Sequence, residues 1–151
     1  MAQIDTQLSE DLKVSMKAGE KDKTETLRTL RAQIKDARIK KGDDLDTDEE
    51  EQVLMTAAKR RKESISMFKE GNRDDLVAKE QFQLELIQTY LPEQMSEEEV
   101  ENIVNETVSS LNVSGMSDLG RVMGALMPKV KGKADGKIVQ QKVRDALSKL
   151  T

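Results

Sequence analysis

The chain has 151 residues, 36% hydrophobic and 36% charged, with a formal net charge of -4. It contains no cysteine and no histidine. That removes disulfides, thiol nucleophiles, thiolate metal sites and the usual acid–base group of neutral pH. Phe68, Phe82 and Tyr90 are its only aromatics, so a core must be built from Leu, Ile, Val, Ala and the eight methionines. Stacking of unpaired bases on aromatic side chains is accordingly not an expected binding mode. No stretch approaches the apolar length of a membrane span. The opening MAQIDTQLSEDLK is acidic and lacks an apolar signal core. The expected residence is therefore cytoplasmic, with no membrane partner.

Helical spacing runs through nearly the whole chain. Ile4, Leu8, Leu12 and Met16 recur every fourth residue and predict a first helix ending near Gly19. Asp22, three residues before Glu25, is the expected N-cap of a second helix. Leu27, Leu30, Ile34 and Ala37 share one face of it, and it should stop at KKGDD, where lysines suit a carboxyl end and Gly42 can terminate. Thr47 and Glu50 form a capping-box pattern heading a long third helix, with Leu54, Ala58, Ile65 and Phe68 inward and Gly71 as its break. A turn at GNRDD leads to a fourth helix starting at Asp74 or Asn72, which carries Leu76, Leu84, Ile87 and Leu91 and ends at Pro92. Residues 92–95 are the predicted boundary. Ser96 and Glu99 then make the clearest capping box, followed by Val100, Ile103, Val104, Val108 and Leu111. NVSGMSD reads as a loop and helix start. Leu119, Val122, Met123, Leu126 and Met127 form a short helix stopping near Pro128. Asp135 caps the last helix, with Ile138, Val139, Val143, Ala146, Leu147 and Leu150 inward. No alternating β run competes. The expected fold is all-α: an N-terminal helical hairpin or bundle domain over 1–92 and a small three-helix, tail-like domain over 93–151.

Enzymatic chemistry finds little support. The carboxylate runs Glu49–Glu51 and Glu97–Glu99 open helices, where negative charge offsets exposed amide dipoles. Ser64 and Ser66 have no histidine to activate them. GKADGK lacks the glycine spacing and preceding strand of a phosphate loop. DDLDTDEEE lacks the central glycine of a calcium loop, and Met123 and Met127 read as adaptable core filler. No catalytic residue, metal or cofactor is expected.

Charge distribution is more informative than net charge. Residues 81–110 hold seven acids and no base, whereas residues 111–151 hold eight bases and three acids. Between Pro128 and Lys137 the chain carries Lys129, Lys131, Lys133 and Lys137 around Gly132 and Asp135. A phosphate there would meet ammonium groups and unpaired backbone amides at a helix start, with Arg121, Lys142 and Arg144 extending the field. Such a surface grips a folded RNA backbone by shape and charge without reading sequence. The same composition fits a solubilising loop or an amphipathic partner surface. A secondary basic patch is expected if Lys35 and Arg38 on the second helix meet Lys59, Arg60 and Lys62 on the third; charges scattered and paired with nearby acids are the alternative.

The stretches LRTLRAQIKDARI (27–39), KRRKESISMFKEGNRDDL (59–76), ELIQTYLPEQMSEEE (85–99) and MSDLGRVMGALMPKVKGKADGKIV (116–139) together resemble the GatB/YqeY family over almost all of residues 1–150. The resemblance is to the helical tail of the B subunit of tRNA-dependent amidotransferases. It implies an all-helical protein whose C-terminal part helps hold a tRNA body. The chain is too short for the portion of that subunit that activates the tRNA-bound acid. The family's RNA-facing region maps here onto Gly120, Arg121, Gly124, Lys129, Lys131, Gly132, Lys133, Asp135, Gly136 and Lys137, with the bases touching phosphate and Asp135 and the glycines shaping the site. One departure is Gly115, where relatives often have a helix-capping serine. The leading expectation is a non-catalytic tRNA-binding or tRNA-metabolism accessory protein. The alternatives are a helical protein-interaction adaptor whose partner handles tRNA and, last, a partner-dependent amidotransferase-type carbon–nitrogen ligase.

Overall fold

The computed structural model describes residues 3–150. Among them the regular elements are all helical: α1 (Gln3–Ala18), α2 (Lys21–Lys41), α3 (Thr47–Glu70), α4 (Asp74–Gln88), α5 (Glu97–Ser110), α6 (Leu119–Val130) and α7 (Gly136–Ser148), with a 3-10 turn at Met116–Asp118 before α6. The chain divides into two compact units, one ending at Pro92 and the other beginning at Glu93.

In the first unit α1 and α2 form a hairpin with a two-residue link. Gly19 takes a left-handed φ of 73°, and the Glu20 amide returns to the Ser15 carbonyl at 3.0 Å. That tight return starts α2 at Lys21, so Asp22 lies inside its first turn instead of capping it. The N-cap is Glu20, whose side chain makes no cap bond. The Ser15 and Thr24 hydroxyls join at 2.8 Å in the buried corner. Ser15 holds the interior position there, and Met16, expected inside, is 51% exposed. Gly42 ends α2 in the left-handed conformation with its amide on the Arg38 carbonyl. Leu8, Leu27, Leu30, Ile34, Leu54 and Ile87 form the closed centre of this unit. Leu91 lies beyond the end of α4 and packs against that core half-buried.

The capping box of α3 is Asp46 with Glu49, one residue earlier than expected. The shift releases Glu50, which is fully buried. Its carboxylate accepts from the Ile4 amide at 3.2 Å and the Asp5 amide at 2.9 Å. First-turn amides of a helix have no partner within that helix, so Glu50 caps α1 from 46 residues away. At the far end of the unit the Tyr90 hydroxyl donates to Asp11. Burial first, and that hydrogen bond second, push the Tyr90 phenol above its ordinary range.

In the second unit Ser96 and Glu99 form the capping box of α5. Val100, Val104, Val122, Leu126, Val130, Val139, Val143 and Leu147 make the core. Helix α6 continues past Pro128 to Val130 because Val130 is completely buried in that core, and the gain in burial outweighs the one backbone bond that proline cannot make. Ile138 and Leu150 were expected inside but are 38% and 49% exposed. The spacing of Val139, Val143 and Leu147 sets the buried stripe, and Leu150 lies beyond the helix end. At Gly115 no side chain caps the turn; instead the Asp118 carboxylate accepts from the Ser114 amide at 2.9 Å.

Candidate nucleic-acid interface

Residues 131–135 join α6 to α7. Gly132 there has φ 74°, a conformation that disfavours any side chain. The amides of Lys133 and Ala134 both return to the Val130 carbonyl, at 2.9 and 3.0 Å. The carbonyls of Gly132 and Lys133 are held from outside the loop. Gln94 donates its side-chain amide to the Gly132 carbonyl at 2.7 Å, and the Met95 backbone amide donates to the Lys133 carbonyl at 2.8 Å. The loop is thus braced on both sides, while Lys129, Lys131 and Lys133 stay exposed around it.

Asp135 caps α7, as the sequence predicts. The Asp135 carboxylate accepts from the Lys137 amide at 3.0 Å and places negative charge at the helix head. Three amides at this turn and helix start, those of Lys133, Ala134 and Lys137, are taken within the protein, where the sequence expectation left backbone amides for a phosphate. What remains for an anion is chiefly side-chain charge. Among the described residues, the side chains of Lys129, Lys133, Lys137, Lys142 and Arg144 form no salt bridge or hydrogen bond with one another or with an acid. Lys137 and Arg144 stand two turns apart on the outward face of α7, ~10 Å along its axis. Lys142 is half-buried beside the apolar stripe.

Arg121 does not join this group. It lies eight residues before Lys129 on α6, ~12 Å along the axis. Its guanidinium donates to the Leu111 carbonyl and pairs with Asp118 at 3.7 Å. The Ser114 amide, and to a lesser extent Arg121, hold the Asp118 carboxyl below its ordinary range. Arg121 therefore braces the α5–α6 connection. Of the glycines expected to shape the site, Gly132 is required by its backbone. A Cβ at Gly120 or Gly124 would meet nothing within 4 Å, and one at Gly136 would stand in ordinary contact with Met127 Cε at 4.0 Å.

The secondary basic residues divide as well. Arg38 pairs with Asp5 at 3.4 Å and Asp44 at 3.9 Å, and Arg31 also holds Asp5 at 3.4 Å. Lys35 lines an open recess with Arg38, Ile39, Gly42, Asp43 and Asp44. Lys59, Arg60 and Lys62 are exposed on α3. The Lys41–Glu49 contact at 2.6 Å sets Arg38 near the head of α3, whereas Lys59 lies twelve residues past Thr47, ~18 Å down the axis.

Sequence reasoning gave Glu50 to the α3 cap instead of to the α1 amides, and missed Gln94. Glu50 is one acid in a run of four, residues 48–51, and Gln94 meets its partner 38 residues away; neither contact carries a local signal. Among the described residues no group of three or more carboxylates is placed to hold a metal ion, and no helix is long and apolar enough to cross a membrane.

The sequence profile described as Yqey-like protein matches residues 5–147. A protein named altered inheritance of mitochondria protein 41, mitochondrial, from Pyrenophora tritici-repentis is 32% identical over 144 residues, covering 93% of this chain and 78% of that protein. A namesake from Eremothecium gossypii is 40% identical over 85 residues, covering 56% of this chain and 46% of that one. A glutamyl-tRNA(Gln) amidotransferase subunit from Thermococcus sibiricus is 41% identical over 63 residues, 42% of this chain. The match spans only 10% of the length of that archaeal relative.

Proposed function

The chain belongs to the Yqey-like protein family, and we propose that it is a non-catalytic, cytoplasmic accessory protein that holds tRNA by its backbone through the lysines around the α6–α7 turn. The observation that carries this reading is the group of exposed cations on and beside a braced loop, of which Lys129, Lys133 and Lys137 form no salt bridge among the described residues. tRNA is the nucleic acid because the amidotransferase relatives act, by their name, on glutamyl-tRNA. Phosphate contacts of this kind position a partner and carry no sequence information. The scarcity of aromatics and the Asp135 cap both favour lysine–phosphate pairing over base stacking or helix-end binding. No residue here is assigned to amide transfer, since the match covers 10% of that relative.

The test is tRNA binding by the full chain at low and moderate salt, with and without Lys131→Glu combined with Lys133→Glu. Wild-type affinity should fall steeply with salt, and the double variant should lose tenfold or more, on the order of 1.4 kcal/mol, with helix content unchanged. Equal affinity for both proteins rejects the site. A salt-insensitive protein partner recovered in its place would support the adaptor alternative.

A further inference from the structure

We infer that Gln94 is a positioning residue for the lysine loop: its side-chain amide, donated to the Gly132 carbonyl at 2.7 Å, presets the loop for tRNA without touching it. This rests on the tRNA reading above. The Lys133 and Ala134 amides turn back onto Val130, and the consecutive donors Gln94 and Met95 meet the carbonyls of Gly132 and Lys133. The left-handed Gly132 turns its carbonyl toward Gln94, so the conformation that needs glycine and the bond that needs glutamine are parts of one device. The Met95 donor is main chain and survives any substitution at 94. Gln94 is the part that a side chain decides.

A loop already held in its bound arrangement loses less freedom on binding. By linkage, tRNA must then strengthen the same clasp that strengthens tRNA binding. The opening residues of the second unit, directly after Pro92, are thereby coupled to occupancy of the lysine loop.

Gln94→Met keeps the length of the side chain and removes the donor. In the full chain it should weaken tRNA about fivefold, the equivalent of one neutral hydrogen bond, and flatten the salt dependence by about one phosphate contact. In the wild type, saturating tRNA should slow hydrogen exchange at the Met95 amide, and in Gln94→Met that slowing should shrink. Wild-type affinity in Gln94→Met, alongside a weakened Lys131→Glu/Lys133→Glu variant, overturns the positioning role and leaves the tRNA reading intact. If both variants bind like the wild type, or the wild type does not bind, the tRNA reading fails and this inference falls with it. Should Gln94→Met lower the thermal midpoint, the wild-type Met95 measurement decides, and unchanged exchange on tRNA addition overturns the proposal.

Discussion

The two units carry similar basic residues and use them differently. In the first, Arg31 and Arg38 hold Asp5, Arg38 reaches Asp44, Lys41 holds Glu49, and Arg73 clamps Asp75 through two nitrogens at 3.2 and 3.1 Å. In the second, Arg121 pairs with Asp118, while Lys129, Lys133, Lys137, Lys142 and Arg144 have no acidic partner among the described residues. The acids of α5, Glu97, Glu98, Glu101 and Glu106, are exposed and form no salt bridge to those bases among the described residues. Arg31, Arg38, Lys41 and Arg73 of the first unit are spent on ion pairs, whereas Lys129, Lys133, Lys137, Lys142 and Arg144 of the second are in no salt bridge among the described residues. The number of lysines in a stretch is thus a poorer guide to anion binding than whether their partners are already inside the fold.

The sharpest way to break this contrast is at the first unit's buried charge. Glu50→Ala strips two α1 amides of their acceptor and empties a closed site, and should destabilise that unit by about 3 kcal/mol with tRNA affinity of the second unit unchanged. Chemical denaturation followed by segment-resolved hydrogen exchange checks it. The Lys131→Glu/Lys133→Glu pair is next, at about 1.4 kcal/mol of tRNA affinity and no loss of stability. Ser96→Ala removes half of the α5 capping box and should lower stability of the second unit by about 1 kcal/mol, read as a fall in its unfolding midpoint. A smaller effect concerns pH. The Asp118 carboxyl is depressed by the Ser114 amide first, so what it contributes is present above the unfolded carboxyl value and is lost as pH falls through the lower folded one. An NMR titration should show Asp118 titrating below the exposed carboxylates, with the 114–118 turn loosening along the same curve, and Ser114→Pro should shift that titration upward. Smallest of all, Lys59→Gln with Lys62→Gln should leave tRNA affinity unchanged. A loss equal to that of the Lys131/Lys133 variant would erase the contrast between the units.

Much of the fold was legible because its signals are local. The Ser96–Glu99 box, the Gly42 terminator and the valine stripes of α5 and α7 lie within one or two turns and need no tertiary information. The errors occur where a distant contact chooses between equal local options. Asp46/Glu49 and Thr47/Glu50 both match the capping pattern; the frame is settled by Glu50 burying itself against α1. Asp22 resembled a cap until the Gly19–Glu20 return began α2 a residue ahead of it. Pro128 resembled a stop, but Val130 had core to enter. At the candidate site, clustered lysines were visible in sequence. So was the Asp135 cap of α7. The diversion of Arg121 to Leu111 was not, because it depends on where a backbone carbonyl falls after folding.

The hydrogen bond from Tyr90 to Asp11 spans 79 residues and ties the last turn of the first unit to its first helix. A loop that long closes at an entropic disadvantage unless the intervening helices have already packed. This bond should therefore be among the last native contacts to form and among the first to open. The segment leading out of the unit would then gain order only after the four-helix assembly is complete, and a nascent chain would keep its exit segment loose until the body behind it had set.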